Sequence, residues 1–217
     1  TGVFHARWLA ASADPAVGTA SAGGDAAAGA PSAGSGQASS TGDAAAGELV
    51  IRPPLVRPRQ LISDVPRFAG RREELAQLDD LLPDGVPIVL VAGTAGVGKT
   101  TLAVHWAHRV AERFPDGQLF VNLRGFDPAA APVAPGQAVR ALLDAFEVPP
   151  TRIPTSFEAQ VALYRSILAE RRVLVLLDNA RDAEQVRPLL PGARGCLTVV
   201  TSRENLSGLV VSEGAVP

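Results

Sequence analysis

The run Gly93-Thr94-Ala95-Gly96-Val97-Gly98-Lys99-Thr100 combines backbone freedom with one ammonium and two hydroxyls in the spacing GxxxxGKT. Gly93, Gly96 and Gly98 let the chain curl so that successive N–H groups face a single anion, and a helix starting there points its positive end at the same place. Phosphate is the guest that such a nest accepts. Lys99 is placed to reach the outer phosphates of a nucleoside triphosphate. Thr100 is placed to ligand Mg2+ through its hydroxyl, and Thr101 to touch the inner phosphate. Of the twenty Lys+Arg residues, Lys99 is the only lysine. A compact ammonium fits between phosphate oxygens in a tight nest, where a broad planar guanidinium does not.

Two further polar residues stand at the ends of apolar runs. Asp178 follows Val173-Leu174-Val175-Leu176-Leu177, so its carboxylate emerges where the glycine loop also lies and can polarise a water of the Mg2+ shell. The competing reading is an aspartate that caps the next turn. Arg203 closes Val199-Val200-Thr201-Ser202-Arg203 and is placed to contact a terminal phosphate, the alternative being a solvated arginine at a strand end. Lys99, Asp178 and Arg203 are therefore the residues expected to carry any catalysis, and Thr100 and Asp178 those expected to hold the metal. His105 and His108 share a helix face but have no Cys or acidic partner at ligand spacing, so a structural role is expected. Trp106 and Cys196 read as core, and Arg171-Arg172 as a solvated turn.

Alternating elements must bring these groups together. Ile88-Val89-Leu90-Val91 is a continuous apolar run, the mark of a strand covered on both faces, and it leads straight into the glycine loop. A helix is expected before it over Glu73–Leu82, stopped by Pro83-Asp84-Gly85, and another after it over Thr101–Phe114, stopped by Pro115-Asp116-Gly117. Leu119–Val121 reads as a second strand, Pro135–Phe146 as a helix, and Thr155-Ser156-Phe157-Glu158 as the capping box of a further one. Strands over Val173–Leu177 and Leu197–Val200, with a short helix over Ala183–Leu190 between them, complete the pattern. The alternation predicts an α/β, three-layer P-loop domain with a parallel sheet and its chemistry at the C-terminal ends of the strands. Related folds with an inserted strand order the sheet 5-1-4-3-2. Four strands are readable, and the fifth, due shortly after Gly208–Val211, is expected to be missing because no clear apolar run follows Ala215. That would leave the Ile88–Val91 strand as a bare edge, prone to association between molecules.

The folded domain is expected over residues 65–217, truncated at its C-terminal side. Before it come a disordered Ala/Gly/Ser-rich linker over 1–47 and a proline-rich arm over 48–64 that lies on the domain surface. Thr1 in place of Met, and no methionine anywhere, lead to the expectation of a segment of a longer product. A net charge of −2 and a pI near 5.9 leave no basic surface for phosphate-backbone binding, so direct nucleic-acid contact is not expected. The lone Cys196 fits a reducing interior. No apolar run is long enough to cross a bilayer, and His5 and Arg7 interrupt the opening stretch. A cytoplasmic location without membrane contact is expected.

With these residues in view, the chain resembles an NB-ARC-type STAND nucleotide-binding domain, similar to those of actinobacterial SARP/AfsR-like transcriptional regulators, from about Asp64 to Ala215. The marks are Phe68-Ala69-Gly70-Arg71, the P-loop, Phe120-Val121-Asn122-Leu123-Arg124-Gly125-Phe126, Leu177-Asp178-Asn179-Ala180 and Thr201-Ser202-Arg203. The resemblance implies an ATP/ADP switch with Mg2+ in which ADP holds a closed state and ATP exchange opens it. It makes Phe68, Gly70 and Arg71 base-side contacts and Arg203 the terminal-phosphate sensor. It implies as partners the DNA-binding and helical-repeat domains of a parent regulator, and further copies in a nucleotide-dependent oligomer. Many relatives place a second acid directly after the Walker B aspartate, where this chain has Asn179. An amide orients water but cannot accept its proton, so hydrolysis is expected to be slow or to rely on another group. The rival reading is a small-molecule phosphotransferase, which would need an acceptor pocket and an arginine-bearing lid; no lid candidate is visible. A degenerate interaction module sits poorly with intact Lys99, Thr100 and Asp178.

Overall fold

The computed structural model of the chain describes residues 56–82 and 88–216. The expected linker, the start of the arm, the Pro83-Asp84-Gly85 stop and Pro217 lie outside the described residues.

The elements run α1 (Arg72–Leu81), β1 (Ile88–Ala92), α2 (Lys99–Val110), β2 (Gly117–Asn122), α3 (Pro135–Ala145), α4 (Phe157–Leu168), β3 (Val173–Ala180), α5 (Ala183–Val186), β4 (Leu197–Ser202) and α6 (Ser207–Glu213). All strand pairs are parallel, in the order β1-β4-β3-β2. Side chains alternate across the sheet with the period of two that strands impose. Val89, Val91, Leu174, Leu176 and Val199 pack with Leu75 and Leu78 of α1 and with Leu102, Trp106 and Val110 of α2. Ile88, Leu90, Val173, Val175 and Leu177 face the other way, toward Val139 and Leu143 of α3, Tyr164 and Leu168 of α4 and Leu209 of α6. Two cores on the two faces of one sheet give the expected three layers. The register sets Ala92 beside Ser202 and Asn122 beside Asp178, so every C-terminal strand end opens onto the same rim.

Several polar groups inside these cores find partners, whereas the buried Thr198 hydroxyl of β4 makes no hydrogen bond. Trp106, with no exposed surface, donates its indole N–H to Asp79 at 2.9 Å. Tyr164 donates to the Leu189 carbonyl at 3.0 Å, and burial pushes its phenol pKa far up. Burial likewise raises the Cys196 thiol, which donates to the Arg171 carbonyl at 3.3 Å.

Several local expectations are corrected. α2 starts at Lys99 rather than Thr101, and its last turn tightens into a 3-10 turn over Ala111–Arg113. The cap of α4 is Ser156, whose Oγ accepts from Ala159 N–H at 3.3 Å, one residue later than the expected box. β3 continues past Leu177 through Asp178 to Ala180, with a register irregularity against β4 between Leu177 and Ala180. The segment after β4 forms the helix α6, closed by Gly214 at φ 67°, and no fifth strand follows it among the described residues, as expected. Beyond it, Val216 lies parallel to β1: Leu90 N–H bonds the Val216 carbonyl at 2.7 Å, and Val216 N–H bonds the Ile88 carbonyl at 3.0 Å. The outer edge of β1 is therefore not bare. A single residue holds the fifth position in the expected order.

The arm is docked along the domain. Gln118 N–H bonds the Pro58 carbonyl at 2.7 Å and Gln60 N–H bonds the Gln118 carbonyl at 2.8 Å, so Arg59 bridges the outer edge of β2. The chain then crosses to α2. Asp64 pairs with His105 at 3.0 Å, His108 Nε2 donates to the Ile62 carbonyl at 2.8 Å, and Phe68 stacks on His105 with ring centroids 4.2 Å apart. The two histidines thus anchor the arm.

Candidate functional site

β1 delivers the glycine loop at the rim. Gly96 and Gly98 adopt φ of 74° and 84°, left-handed values that only glycine takes freely, and Gly98 is the N-cap from which α2 departs. Lys99, 9% exposed, folds back over the loop and donates to the Gly93 carbonyl at 2.7 Å and the Thr94 carbonyl at 2.8 Å. An ammonium has three donors, so one remains for a guest. Burial lowers its pKa from 10.5, and the positive charge of Arg203 lowers it further; Asp178 acts in the opposite sense, and Arg71 adds to the lowering. Cations gathered in this way favour an anion as the missing neighbour.

β3 and β4 deliver the acid and its supports. Thr100 donates its hydroxyl to Asp178 Oδ1 at 2.7 Å, and Thr201 donates to the same oxygen at 2.6 Å. Thr201 Oγ1 in turn accepts from Asn179 N–H at 2.9 Å, which fixes Asn179 at φ 57° in the irregular part of β3. Thr201 was not expected as a site residue. The signal available was a threonine closing an apolar strand, beside the arginine that was singled out. The loop after β2 is tied to the same acid: Leu123 N–H bonds the Asp178 carbonyl at 2.8 Å and Gly125 N–H bonds the Asn179 carbonyl at 2.7 Å.

Ala95, Gly96, Gly98, Lys99, Thr100, Thr101, Asp178 and Arg203 line one cavity of about 410 Å3, joined by Asn179 and Thr201. Gly93, Thr94 and Val97 do not line it. The first two offer their carbonyls to Lys99, and Val97 offers its own to the Arg71 guanidinium. Phe68 and Gly70 are also absent from the lining, and Phe68 packs against α2 instead. Arg71, at φ 54°, is the N-cap of α1 and connects that segment to the phosphate loop rather than to the cavity. Among the described residues no group of three or more His, Cys, Asp or Glu is arranged to hold a metal. Thr100 and Asp178 instead offer two hard oxygens side by side, a donor set that suits Mg2+ completed by phosphate and water.

Residues 67–198, more than half of the chain, match the AAA ATPase domain. The chain belongs to that family. This AAA ATPase domain is 47% identical to the regulatory protein AfsR of Streptomyces coelicolor, in a match covering 71% of the chain and 16% of that protein. It is 46% identical to the regulatory protein AfsR of Streptomyces griseus, again over 71% of the chain and 16% of the relative. The chain thus spans about a sixth of the length of these relatives. Among solved structures it is similar to Cdc6p from Pyrobaculum aerophilum, with a TM-score of 0.47 and 19% identity over 66% of this chain and 41% of that one. It is also similar to the Aeropyrum pernix ORC2 protein, with a TM-score of 0.46 and 21% identity over 65% of this chain and 43% of that one. No helix of this AAA ATPase domain, among the described residues, is long and apolar enough to cross a membrane.

Proposed function

We propose that this domain binds ATP or ADP with Mg2+ and acts as the nucleotide switch of a larger, cytoplasmic transcriptional regulator of the NB-ARC or STAND type. The observation that carries the reading is the convergence of Lys99, Thr100, Asp178 and Arg203 on one cavity at the rim of the sheet. Loop N–H groups and the start of α2 receive the phosphates. Lys99 holds the outer phosphates with its remaining donor, and Arg203 contacts the terminal one. Thr100 and Asp178 would hold Mg2+, which when bound neutralises phosphate charge. Arg71 links the segment that would lie over the base to the Val97 carbonyl of the phosphate loop, so base-side and phosphate-side occupancy share one connection. Asn179 lines the cavity and orients water without accepting a proton, which makes hydrolysis slow and suits a switch better than a turnover enzyme. The partners in this reading are the DNA-binding and helical-repeat domains of the same regulator and further copies in a nucleotide-dependent oligomer.

Calorimetric titration of ADP and ATP, with and without Mg2+, tests the assignment. Lys99→Ala is expected to abolish measurable binding, and Asp178→Asn to remove mainly the Mg2+-dependent part of the affinity. Unchanged affinity in the lysine variant would sink the site.

A further inference from the structure

We propose that Phe126 is the positioning residue for Arg203: its ring face holds the guanidinium at the mouth of the phosphate cavity, ready to meet a terminal phosphate. The inference rests on the nucleotide-binding reading above and deepens it. Arg203 follows the last residue of β4 and is exposed. Among the described residues its side chain makes no ion pair or hydrogen bond, and its guanidinium lies over the Phe126 ring, 5.2 Å from guanidinium carbon to ring centroid. A long, exposed, charged side chain without an acidic partner spreads over several rotamers in water. Here it also shares a cavity with the Lys99 ammonium, and the two like charges repel, an effect that adds to burial in lowering the Lys99 pKa. Both effects drive Arg203 outward. The negative face of an aromatic ring opposes them.

The ring can do this only if it is itself held in place. The loop bearing Phe126 is fastened to the end of β3 by the Leu123 and Gly125 N–H groups. The fit leaves no room for a larger residue at 125, where an added Cβ would come within 2.4 Å of Arg181 N and 2.6 Å of the Asn179 carbonyl. Phe126 is therefore referenced to the same backbone that carries Asp178. Acid, ring and guanidinium form one frame, and a displacement of Arg203 by phosphate is felt by the loop after β2.

The test compares ATP and ADP affinities in the presence of Mg2+ for the full chain and for Phe126→Leu, Phe126→Trp, Arg203→Ala and the double variant Phe126→Leu/Arg203→Ala. An exposed cation–π contact corresponds to about a two- to fivefold change in an equilibrium constant. Phe126→Leu is expected to weaken ATP by that factor and leave ADP unchanged, and Phe126→Trp to keep the original ratio. In the double variant ATP affinity should equal that of Arg203→Ala alone. In the nucleotide-free chain the Arg203 side-chain NMR resonances, shifted by the ring, should move toward solvent values in Phe126→Leu and not in Phe126→Trp. If Arg203→Ala lowers the ATP preference while Phe126→Leu does not, or if Phe126→Leu weakens ATP and ADP equally, the positioning role is overturned and the site reading stands. If Arg203→Ala leaves the ATP to ADP ratio unchanged, the sensor role of Arg203 fails, and this inference fails with it.

Discussion

Asn179 sits at φ 57° with its N–H bound to Thr201, a left-handed conformation that Asn and Asp tolerate better than other side chains. Asn179→Asp therefore keeps the backbone while replacing an amide with a group that accepts a proton beside the phosphate cavity. A positioned base contributes a hundredfold or more to proton-transfer steps. ATP hydrolysis by this variant, measured as phosphate release, is expected to rise by roughly ten- to a hundredfold; an unchanged rate would show that the amide is not what limits turnover. Lys99 supplies a second residue-scale expectation. Burial and then the Arg203 charge lower its pKa below 10.5. Between that lowered value and 10.5 the unfolded chain carries more protons than the folded one, so this group's contribution to stability increases as pH rises through the window. Bound phosphates favour the ammonium, so the sign for binding is opposite: ADP affinity is expected to fall as pH rises through the lowered Lys99 pKa. Titrations across the alkaline range check it, and a flat profile would contradict a phosphate contact by Lys99.

At the scale of elements, the arm adds a one-residue bridge to β2 and two histidine contacts to α2 without being a strand or helix of its own. It passes close to Gly117, where an added Cβ would come within 2.9 Å of two ring carbons of Pro58. Gly117→Ala must push Pro58 away and break both backbone bonds to Gln118. Overpacking of this kind costs about 1–3 kcal/mol, so a lowered denaturation midpoint and faster proteolysis between residues 56 and 64 are expected. Unaltered stability and cleavage would mean that the arm contributes nothing to β2. The buried Gln118 side chain joins the same corner, donating to the Phe114 carbonyl at 2.6 Å and the Ala111 carbonyl at 3.1 Å, which closes the C-terminal end of α2.

For the molecule as a whole, the vulnerable feature of a parallel sheet is its edges, where unpaired N–H and C=O groups template further pairing. The outer edge of β2 meets the arm, and the outer edge of β1, the strand that feeds the phosphate loop, meets Val216. Val216→Pro removes the N–H that bonds the Ile88 carbonyl. The expected result is a loss of about 1 kcal/mol or more in chemical denaturation, together with earlier elution in gel filtration as β1 edges pair between molecules. A variant that stays monomeric with an unshifted midpoint would show that this bridge protects nothing.

Whereas Asp178, expected to end its strand, lies two residues inside β3, the glycine loop, the buried runs Ile88–Val91 and Val173–Leu177, and the placing of Arg203 just past the end of β4 were legible in the sequence alone. Each is a local property: positive φ at Gly96 and Gly98 follows from a missing Cβ, and burial on both faces follows from an unbroken apolar run. Thr201 on Asp178, 23 positions away, was not legible, because a hydroxyl's partner is set by the register between β3 and β4 and leaves no periodic trace. The same holds for Phe126 beneath Arg203 and for Arg71, whose guanidinium the fold directs to the Val97 carbonyl. Only tertiary structure decided that Leu209-Val210-Val211 is helical, since an apolar run that short fits either period. It also decided that Pro58 and Val216 pair with strand edges: backbone N–H and C=O groups are nearly the same at every residue, so the fold rather than residue type selects where they meet.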